Sequence, residues 1–176
     1  MDVTALIAAA MRGQHAMMRL LLEHKAGVDL QTAGGETALM NAACEGHKEC
    51  VQELLAAGAS TDLRNQDGFT ALQEAEDEGH AAIANLLRQH ATTPPATVAA
   101  SAAASAAMVL PDELTLASQR GELEQVVKWL QKGGHVDALD KDGRGLLHMA
   151  AAGGRLGVAK ELLQRGASVD LCGAMD

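Results

Sequence analysis

The sequence repeats with a period of 33 residues, and this period limits the possible folds more than any other feature. Thr4, Thr37 and Thr70 each begin a stretch that reads Thr-Ala-Leu and ends at a glycine. A further pair of related stretches starts at Asp112 and Gly145, again 33 residues apart. A fixed period in this range is typical of stacked supersecondary units, none of which buries its apolar face alone. We therefore expect an array of five units that offers an extended surface.

The composition suits helices packed in close layers. Hydrophobic residues make up 48% of the 176 residues but aromatic residues only 1%, so the apolar side chains are mainly alanine, leucine, valine and methionine. The formal net charge of −9 argues against a nucleic-acid partner, because proteins of that class normally carry a basic surface. No stretch reaches the roughly 18 apolar residues of a membrane span, so we expect no membrane insertion.

The cysteines indicate the cellular compartment. The three cysteines, Cys44, Cys50 and Cys172, are too few for a disulfide framework, and an odd number cannot all pair with one another. They fit a reducing environment. The N-terminal residues lack the basic region, apolar run and cleavage site of a signal peptide. We therefore expect an intracellular, cytoplasmic protein, with the nucleus as an alternative location.

Unit two, residues 33–64, shows the pattern of one repeat. A glycine turn precedes Thr37, whose hydroxyl is suited to cap a short helix. Gly46 ends that helix, and a longer helix follows until Gly58. The longer helix carries its apolar residues on one face: Cys50, Val51, Leu54 and Leu55. The pattern predicts a turn, a short helix, a tight loop, a longer helix and a return loop.

Units two and five carry similar residues at matching places. In unit two these are Gly35, Thr37, Leu39, Ala42, Ala43, Gly46, His47, Val51, Leu54, Leu55, Gly58, Ala59 and Asp62. In unit five they are Gly143, Leu147, His148, Ala150, Ala151, Gly154, Leu162, Leu163, Gly166, Ala167, Val169 and Asp170. This pattern resembles the ankyrin repeat, and the resemblance extends over all five units. It implies an all-α solenoid of helix-loop-helix pairs joined by β-turn or hairpin tips.

Some positions depart from the family pattern. No unit has the proline that usually follows the threonine, although proline at a first helical position is dispensable. Lys25 stands where a helix-ending glycine is expected, so we expect that turn to be strained or shifted. Glu76 replaces an alanine in the short helix of unit three. Unit four begins abruptly at Pro111, without a turn before it.

An insertion divides the array. Thr70 and Asp112 are 42 residues apart, nine more than the period. The excess lies in an Ala/Ser/Thr/Pro-rich segment of low complexity, residues 91–111. The predicted organisation is repeats one to three at 1–90, this linker or insertion, and repeats four and five at 112–176.

The spacing leaves the arrangement of the two parts open. Five units could form one stack with a bulged loop, or two short stacks in which units three and four are terminal caps with polar outer faces. Two repeats are fewer than the three or so usually needed for stability. Units four and five would therefore either belong to a longer protein or lean on the first half.

The histidines and cysteines do not indicate a reaction centre. The resemblance implies that His47 and His80 hold the tight loops by bonding to neighbouring backbone, and that His148 bonds to the adjacent repeat. Cys44, His47 and Cys50 are close in sequence, but no fourth ligand follows at zinc-finger spacing. No nucleophile stands beside a base in a recognisable order. We therefore expect no catalytic residue, metal, cofactor or small-molecule substrate.

The resemblance also implies where a partner binds, because ankyrin stacks use their turn tips and the exposed side of their short helices, which line a concave surface. The predicted contact residues are Glu36, Glu45, Gln66, Asp67, Phe69, Asp77, Glu78, Gln119, Arg120, Lys141, Asp142 and Arg144. Met11, Arg12 and Cys44 occupy further short-helix positions of this kind.

The two large aromatic residues receive different predictions. Phe69 is the only phenylalanine and precedes Thr70 at a position that is normally exposed. Aromatic anchors dominate interface energies, so we predict a partner contact there, with packing across neighbouring tips as the alternative. Trp129 replaces a leucine of the second-helix pair and is predicted to pack in the core.

These features favour a scaffold or adaptor that binds another protein and performs no chemistry. The acids of unit three suggest a partner with a basic patch, although a solubilising cap would also account for them. A monomer is expected. The alternative function is a targeting or regulatory region of a larger enzyme, such as a kinase, a ubiquitin ligase or an effector.

Overall fold

The computed structural model describes residues 3–90 and 110–171, and these residues form ten α-helices. The helices occur in five pairs: α1 (Ala5–Met11) and α2 (His15–Glu23), α3 (Ala38–Cys44) and α4 (Lys48–Ala56), α5 (Ala71–Asp77) and α6 (Ala81–His90), α7 (Asp112–Arg120) and α8 (Leu123–Gln131), α9 (Leu146–Ala152) and α10 (Leu156–Gln164). In the described residues, β-structure is limited to isolated bridge positions, one at Val3 and one pair between Leu139 and Gly145. Most of the predicted linker, residues 91–109, and Cys172 lie outside the described residues.

The threonines that define the period cap the short helices of units one, two and three. Thr4 accepts a hydrogen bond from the backbone N–H of Ile7 at 3.2 Å, and Thr37 accepts one from Met40 at the same distance. Thr70 forms a full capping box with Gln73. In unit five the residue before the short helix is Gly145, which provides no side-chain cap. The repeated threonine is therefore a local helix-start signal, as the sequence predicted.

The five units do not stack in chain order. Among the short helices, α7 packs on α9, α9 on α1, α1 on α3, and α3 on α5. The longer helices follow the same order, from α8 through α10, α2 and α4 to α6. The spatial order is therefore unit four, five, one, two, three. The second part of the chain leans on the first through unit five, one of the arrangements that the sequence left open.

The junction between units five and one repeats a bond found at other junctions. In each case the aspartate of one return loop accepts a hydrogen bond from a backbone N–H in the next unit. The three bonds are Ser60 to Asp29 at 2.9 Å between units one and two, Ser168 to Asp137 at 2.7 Å between units four and five, and Gly27 to Asp170 at 2.8 Å between units five and one. The five–one junction is thus a regular repeat interface.

The histidines contact neighbouring units in two ways. Nε2 of the His80 ring lies 2.9 Å from the backbone oxygen of Cys44, and Nδ1 of His148 lies 3.1 Å from the backbone oxygen of Val3. Both contacts agree with the roles that the resemblance implied. The His47 ring instead lies directly over Gly13, where a Cβ atom would collide with it. Within the described residues this ring has no hydrogen bond to backbone, so its contribution is packing.

One hydrophobic cluster runs through all five units. Its largest fully buried side chains come from both parts of the chain: Leu6, Ile7, Met17, Met18, Leu21, Leu39, Val51, Leu54, Leu87, Val126, Leu146 and Leu162. Each such side chain contributes about 1.5–3 kcal/mol relative to exposure. Trp129 is half-buried and packs against this cluster, with its ring over Gly134. The predicted core role of Trp129 therefore holds, although the side chain is not fully enclosed.

The turn after α2 is strained at Lys25, but its hydrogen-bond register is the same as in other units. Lys25 has a φ of 63°, the one positive value at a non-glycine residue in the described part of the chain. The next residue, Ala26, still donates its N–H to the Leu21 carbonyl at 3.0 Å, the register that the equivalent residues keep in units two and five. The left-handed conformation costs a non-glycine residue about 1–2 kcal/mol. Tertiary packing thus imposes the family turn on a residue that disfavours it.

Candidate functional site

The predicted contact residues lie on the tips and short helices, which we call the tip-and-helix surface. The unit order divides them into two groups. At one end, in units four and five, are Gln119, Arg120, Lys141, Asp142 and Arg144. At the other end, in units two and three, are Glu36, Glu45, Gln66, Asp67, Phe69, Asp77 and Glu78. Ten of these twelve are exposed, whereas Asp142 and Arg144 are half-buried.

Units two and three carry a concentration of carboxylates, which we call the acidic surface. It consists of Glu36, Glu45, Glu74, Asp77 and Glu78. Within the described residues, none of the four exposed members forms an ion pair. The negative charge of this surface is therefore uncompensated by the protein itself.

The effect of this charge is visible in two titrating groups. Burial raises the pKa of the Cys44 thiol, and the carboxylates of Glu74, Glu78, Glu45 and Glu36 raise it further. Burial also raises the pKa of the Glu74 carboxyl, with Glu36 as the next cause, while a hydrogen bond from the Asn65 amide at 2.9 Å lowers it. Like charges held together make an additional carboxylate less favourable there. A cation on this surface would relieve that repulsion.

Phe69 stands at the edge of the acidic surface. Its side chain is 37% exposed and does not belong to the hydrophobic cluster. Its backbone is fixed, because Asn65 accepts a hydrogen bond from the Phe69 N–H at 2.9 Å and donates its own N–H to the Phe69 carbonyl at 3.0 Å. The backbone that carries the ring is therefore fixed, and a little more than a third of the residue is exposed to solvent.

Gln66 is exposed, but it also makes hydrogen bonds to the neighbouring unit. Its backbone N–H donates to the Gly34 carbonyl at 2.8 Å, and its side-chain amide donates to the Ala33 carbonyl at 2.6 Å. Both bonds join the tip of unit three to the tip of unit two. A partner that contacted this amide would compete with the Ala33 bond.

The charged residues at the tip of unit five pair with other groups of the protein. The buried carboxylate of Asp140 accepts the N–H groups of Asp142 at 2.9 Å and Arg144 at 2.8 Å, together with the Arg144 guanidinium at 3.1 Å. Arg144 also bonds to Asp142. Lys141 reaches the carboxylate of Asp112 in unit four at 3.5 Å. Sequence reasoning missed Asp140, although an aspartate two residues before Asp-Gly is a typical turn signal.

A groove that is open to solvent crosses units four, five and one, with a volume of about 490 Å³. Thr115, Leu116 and Gln119 of α7 form part of its wall, Met149 of α9 another part, and Arg12 at the end of α1 a third. Sequence analysis placed Gln119 and Arg12 on the same kind of surface. It did not predict that they share one groove, because that depends on the five–one junction.

The described residues offer little for metal or thiol chemistry. Within residues 3–90 and 110–171, no group of three or more histidine, cysteine or acidic side chains is placed to hold a metal ion. Burial raises the pKa of the Cys50 thiol to about 11, so this thiol is protonated at neutral pH. A nucleophilic cysteine requires the opposite shift.

In the same ranges, no helix combines the length and the apolar character needed to cross a membrane.

Comparison with protein families assigns the fold. Residues 6–97 match a model of ankyrin repeats in three copies, and residues 114–163 match a second model of ankyrin repeats. The chain therefore belongs to the ankyrin-repeat family, and the predicted all-α repeat solenoid is confirmed. Ankyrin repeats are generally modules of protein interaction, and the fold is typically non-catalytic. A comparison with curated proteins gave no match.

Proposed function

We propose that this protein is a scaffold or adaptor that binds another protein through the tip-and-helix surface and performs no chemistry itself. The observation that carries the proposal is the acidic surface beside Phe69, where exposed carboxylates without ion pairs adjoin an exposed aromatic ring. The partner is a protein with a basic patch, since complementary charge favours specificity and rapid association. Phe69 supplies the apolar anchor of the contact.

The acidic surface suits a partner better than it suits the isolated protein. Carboxylates that repel one another destabilise the free state, and lysine or arginine side chains of a partner would remove that repulsion. A nucleic-acid partner does not fit the net charge of −9.

The protein acts in this role as an intracellular, cytoplasmic monomer, a location that suits the free thiols of Cys44 and Cys50.

The test compares three forms of the protein as bait for partners in a cell extract. One is the natural sequence, the second carries Asp77→Lys and Glu78→Lys, and the third carries Glu23→Lys and Glu124→Lys on the longer helices. All four positions are exposed, and the two variants change net charge equally. We expect the partners of the natural protein to be retained by the third form and lost by the second. Identical capture by all three forms would contradict the proposal.

Phe69→Ala provides a second bait with no change in charge. We expect it to weaken capture while thermal unfolding remains close to that of the natural protein, because the ring lies outside the core cluster. Undiminished capture would remove Phe69 from the contact.

A further inference from the structure

We infer that two copies of this chain exchange their second parts, so that unit five of one copy packs on unit one of the other. This inference goes beyond the proposed function and does not depend on the acidic surface. It rests on the five–one junction, which brings together two parts of the chain that are linked covalently through residues 91–109.

The hydrogen bond at the five–one junction has a counterpart at a junction between consecutive units. The Gly27 N–H donates to Asp170 at 2.8 Å, and the Ser60 N–H donates to Asp29 at 2.9 Å between units one and two. The first bond joins residues 143 apart in the chain, and the second joins residues 31 apart. The geometry of the junction is therefore independent of the length of chain between the two units.

The side-chain packing at this junction is also the same as at a junction of consecutive units. Gln14 of unit one lies over Gly154 of unit five, just as His47 of unit two lies over Gly13 of unit one. Both glycines have a positive φ, and a Cβ atom at either would collide with the side chain of the next unit. Unit one therefore accepts unit five as it would accept the preceding unit of a continuous repeat.

The two faces that meet at the junction are apolar. Ala5 of α1 and Leu146 and Leu147 of α9 line one small cavity there, and they are 2%, 0% and 5% exposed. A chain whose unit five is not seated on unit one leaves both faces in solvent, and the burial of apolar surface favours their pairing. Every other copy of the chain carries the face that fits each of them. The occupant that matches is therefore a second copy.

The connection between the two parts permits this exchange. It joins His90 in unit three to Leu110 in unit four, and these units are the two ends of the stack. The ends are four helix-to-helix spacings apart, or about 32–40 Å. The 20 Cα steps from residue 90 to residue 110 reach at most about 66–72 Å. The same length connects unit three of one stack to unit four of a second stack that lies beside it.

Protein concentration selects between the closed and the exchanged form. A linker of this length typically holds the unit five of the same chain at an effective concentration on the order of 1 mM. The exchanged dimer keeps every junction of two monomers, so exchange costs little free energy once second copies reach a similar concentration. The closed monomer therefore predominates in dilute solution. The dimer, which carries two complete stacks, forms in concentrated solution.

Refolding at two protein concentrations tests the exchange. The natural chain is unfolded in urea and refolded at about 1 µM and at about 1 mM, below and near the effective concentration of the connection. Size-exclusion chromatography with light scattering gives the mass of the product. We expect a monomer from the dilute sample and a dimer as about half or more of the concentrated sample. A monomer from both samples would overturn the inference.

A circularly permuted chain is the matched control, because it contains the same residues. It runs from residue 101 to residue 176 and continues from residue 1 to residue 100, so that unit five directly precedes unit one. Nine residues, 171–176 and 1–3, then separate Asp170 from Thr4, compared with seven, 63–69, between Asp62 and Thr70. We expect this chain to be a monomer at both concentrations. Dimers in the same proportion as for the natural chain would place the contact on another surface and overturn the inference.

A disulfide across the junction shows which chains meet, and it decides the question if the permuted chain does not fold. Two proteins with Cys44→Ala, Cys50→Ala and Cys172→Ser are refolded together at about 1 mM, one with Gly27→Cys and the other with Asp170→Cys. The bond from the Gly27 N–H to Asp170 places these two side chains within bridging range. We expect a disulfide-linked pair of chains on non-reducing electrophoresis.

Two controls accompany the disulfide experiment. One chain that carries both Gly27→Cys and Asp170→Cys, refolded at about 1 µM, should form the bridge within itself. A pair of chains with Asp29→Cys and Ser60→Cys should stay unlinked, because the one–two junction remains within one chain after exchange.

The yields decide the outcome. If the internal bridge forms but the Gly27→Cys and Asp170→Cys chains do not link, the inference is wrong. Equal linking in the Asp29→Cys and Ser60→Cys pair would show random collision and would also overturn it. Neither experiment involves another protein, so failure here leaves the proposed function untouched.

Discussion

The two ends of the stack use the same residue types in opposite ways. In units four and five, Asp140 and Arg144 bind each other and the backbone, and Trp129 packs against the core. In units two and three, the exposed carboxylates of the acidic surface, Glu36, Glu45, Asp77 and Glu78, lack ion pairs in the described structure, and Phe69 is 37% exposed. A charged or aromatic residue at a tip position is therefore not a binding residue by type alone. Such a residue is available to a partner only if other groups of the protein do not already pair with it or pack against it.

The aromatic residues give the largest expected contrast. Trp129→Ala should lower the free energy of unfolding by about 3 kcal/mol, the lower part of the range for large core truncations, because the ring is half-buried. Phe69→Ala should change it by no more than about 0.5 kcal/mol, as for other surface substitutions. Urea unfolding of both proteins measures the difference. A loss at Phe69 comparable with that at Trp129 would mean that the ring packs across the tips.

The acids give the second contrast. Asp140→Ala should cost about 2 kcal/mol, because it removes the acceptor of two backbone N–H groups and of the Arg144 guanidinium. Asp77→Ala, the control at the acidic surface, should leave stability unchanged or slightly higher. Both are measured by the same urea unfolding experiment. If the two variants lost equal stability, Asp77 would have a structural role like that of Asp140.

The two ends should respond to pH with opposite sign. Burial lowers the pKa of His148 below its ordinary value of 6.5, and Arg144 lowers it further, while the Val3 carbonyl and Asp140 oppose the shift. Between pH 6.5 and the lower folded-state pKa, the unfolded state binds more protons, so the stability contributed by His148 is present above pH 6.5 and is lost as the pH falls through the folded-state pKa. His148→Gln should reduce this slope in unfolding curves measured between pH 7.5 and 5. A slope unchanged by the substitution would assign it to other groups.

At the acidic surface the direction is reversed. The pKa of Glu74 is raised above 4.5, mainly by burial, so the folded state holds its proton longer. Its contribution to stability is present below pH 4.5 and declines as the pH rises through the folded-state pKa. Glu74→Gln should remove that decline. If the decline persisted in the variant, the remaining carboxylates would be its source.

The smallest effect concerns repulsion within the acidic surface. Glu78→Gln should stabilise the protein by about 0.3 kcal/mol at low salt, and the gain should shrink in 1 M salt, where such charges are screened. Thermal unfolding at the two salt concentrations checks this. A gain of the same size in high salt would indicate a cause other than charge.

Features that depend on nearby residues were predictable from the sequence. The period, the threonine caps and the glycine turns fix each helix pair through local hydrogen bonds, and these match the structure closely. Lys25 shows the limit of such local rules, because packing holds it in a conformation that its own preference opposes. The strained turn was predicted, but only the structure shows that its register is unchanged.

The order of the units could not be read from the sequence. Every unit presents similar faces to its two neighbours, so unit five can pack on unit one as well as on a unit that follows it in the chain. The presence of Arg12 in the same groove as Thr115 depends on that choice. Asp140 was not predicted for a different reason. The predicted contact residues were exposed tip positions, whereas Asp140 is buried.

The five–one junction also has a consequence for how the molecule folds. The bond from Gly27 to Asp170 closes a separation of 143 residues, whereas the bond from Ser60 to Asp29 closes 31. The longer closure adds about 1.4 kcal/mol of chain entropy, and distant contacts of this kind form late. During synthesis, the face of α1 that meets α9 stays uncovered until unit five emerges. The groove therefore gains Arg12 only when unit five packs on unit one.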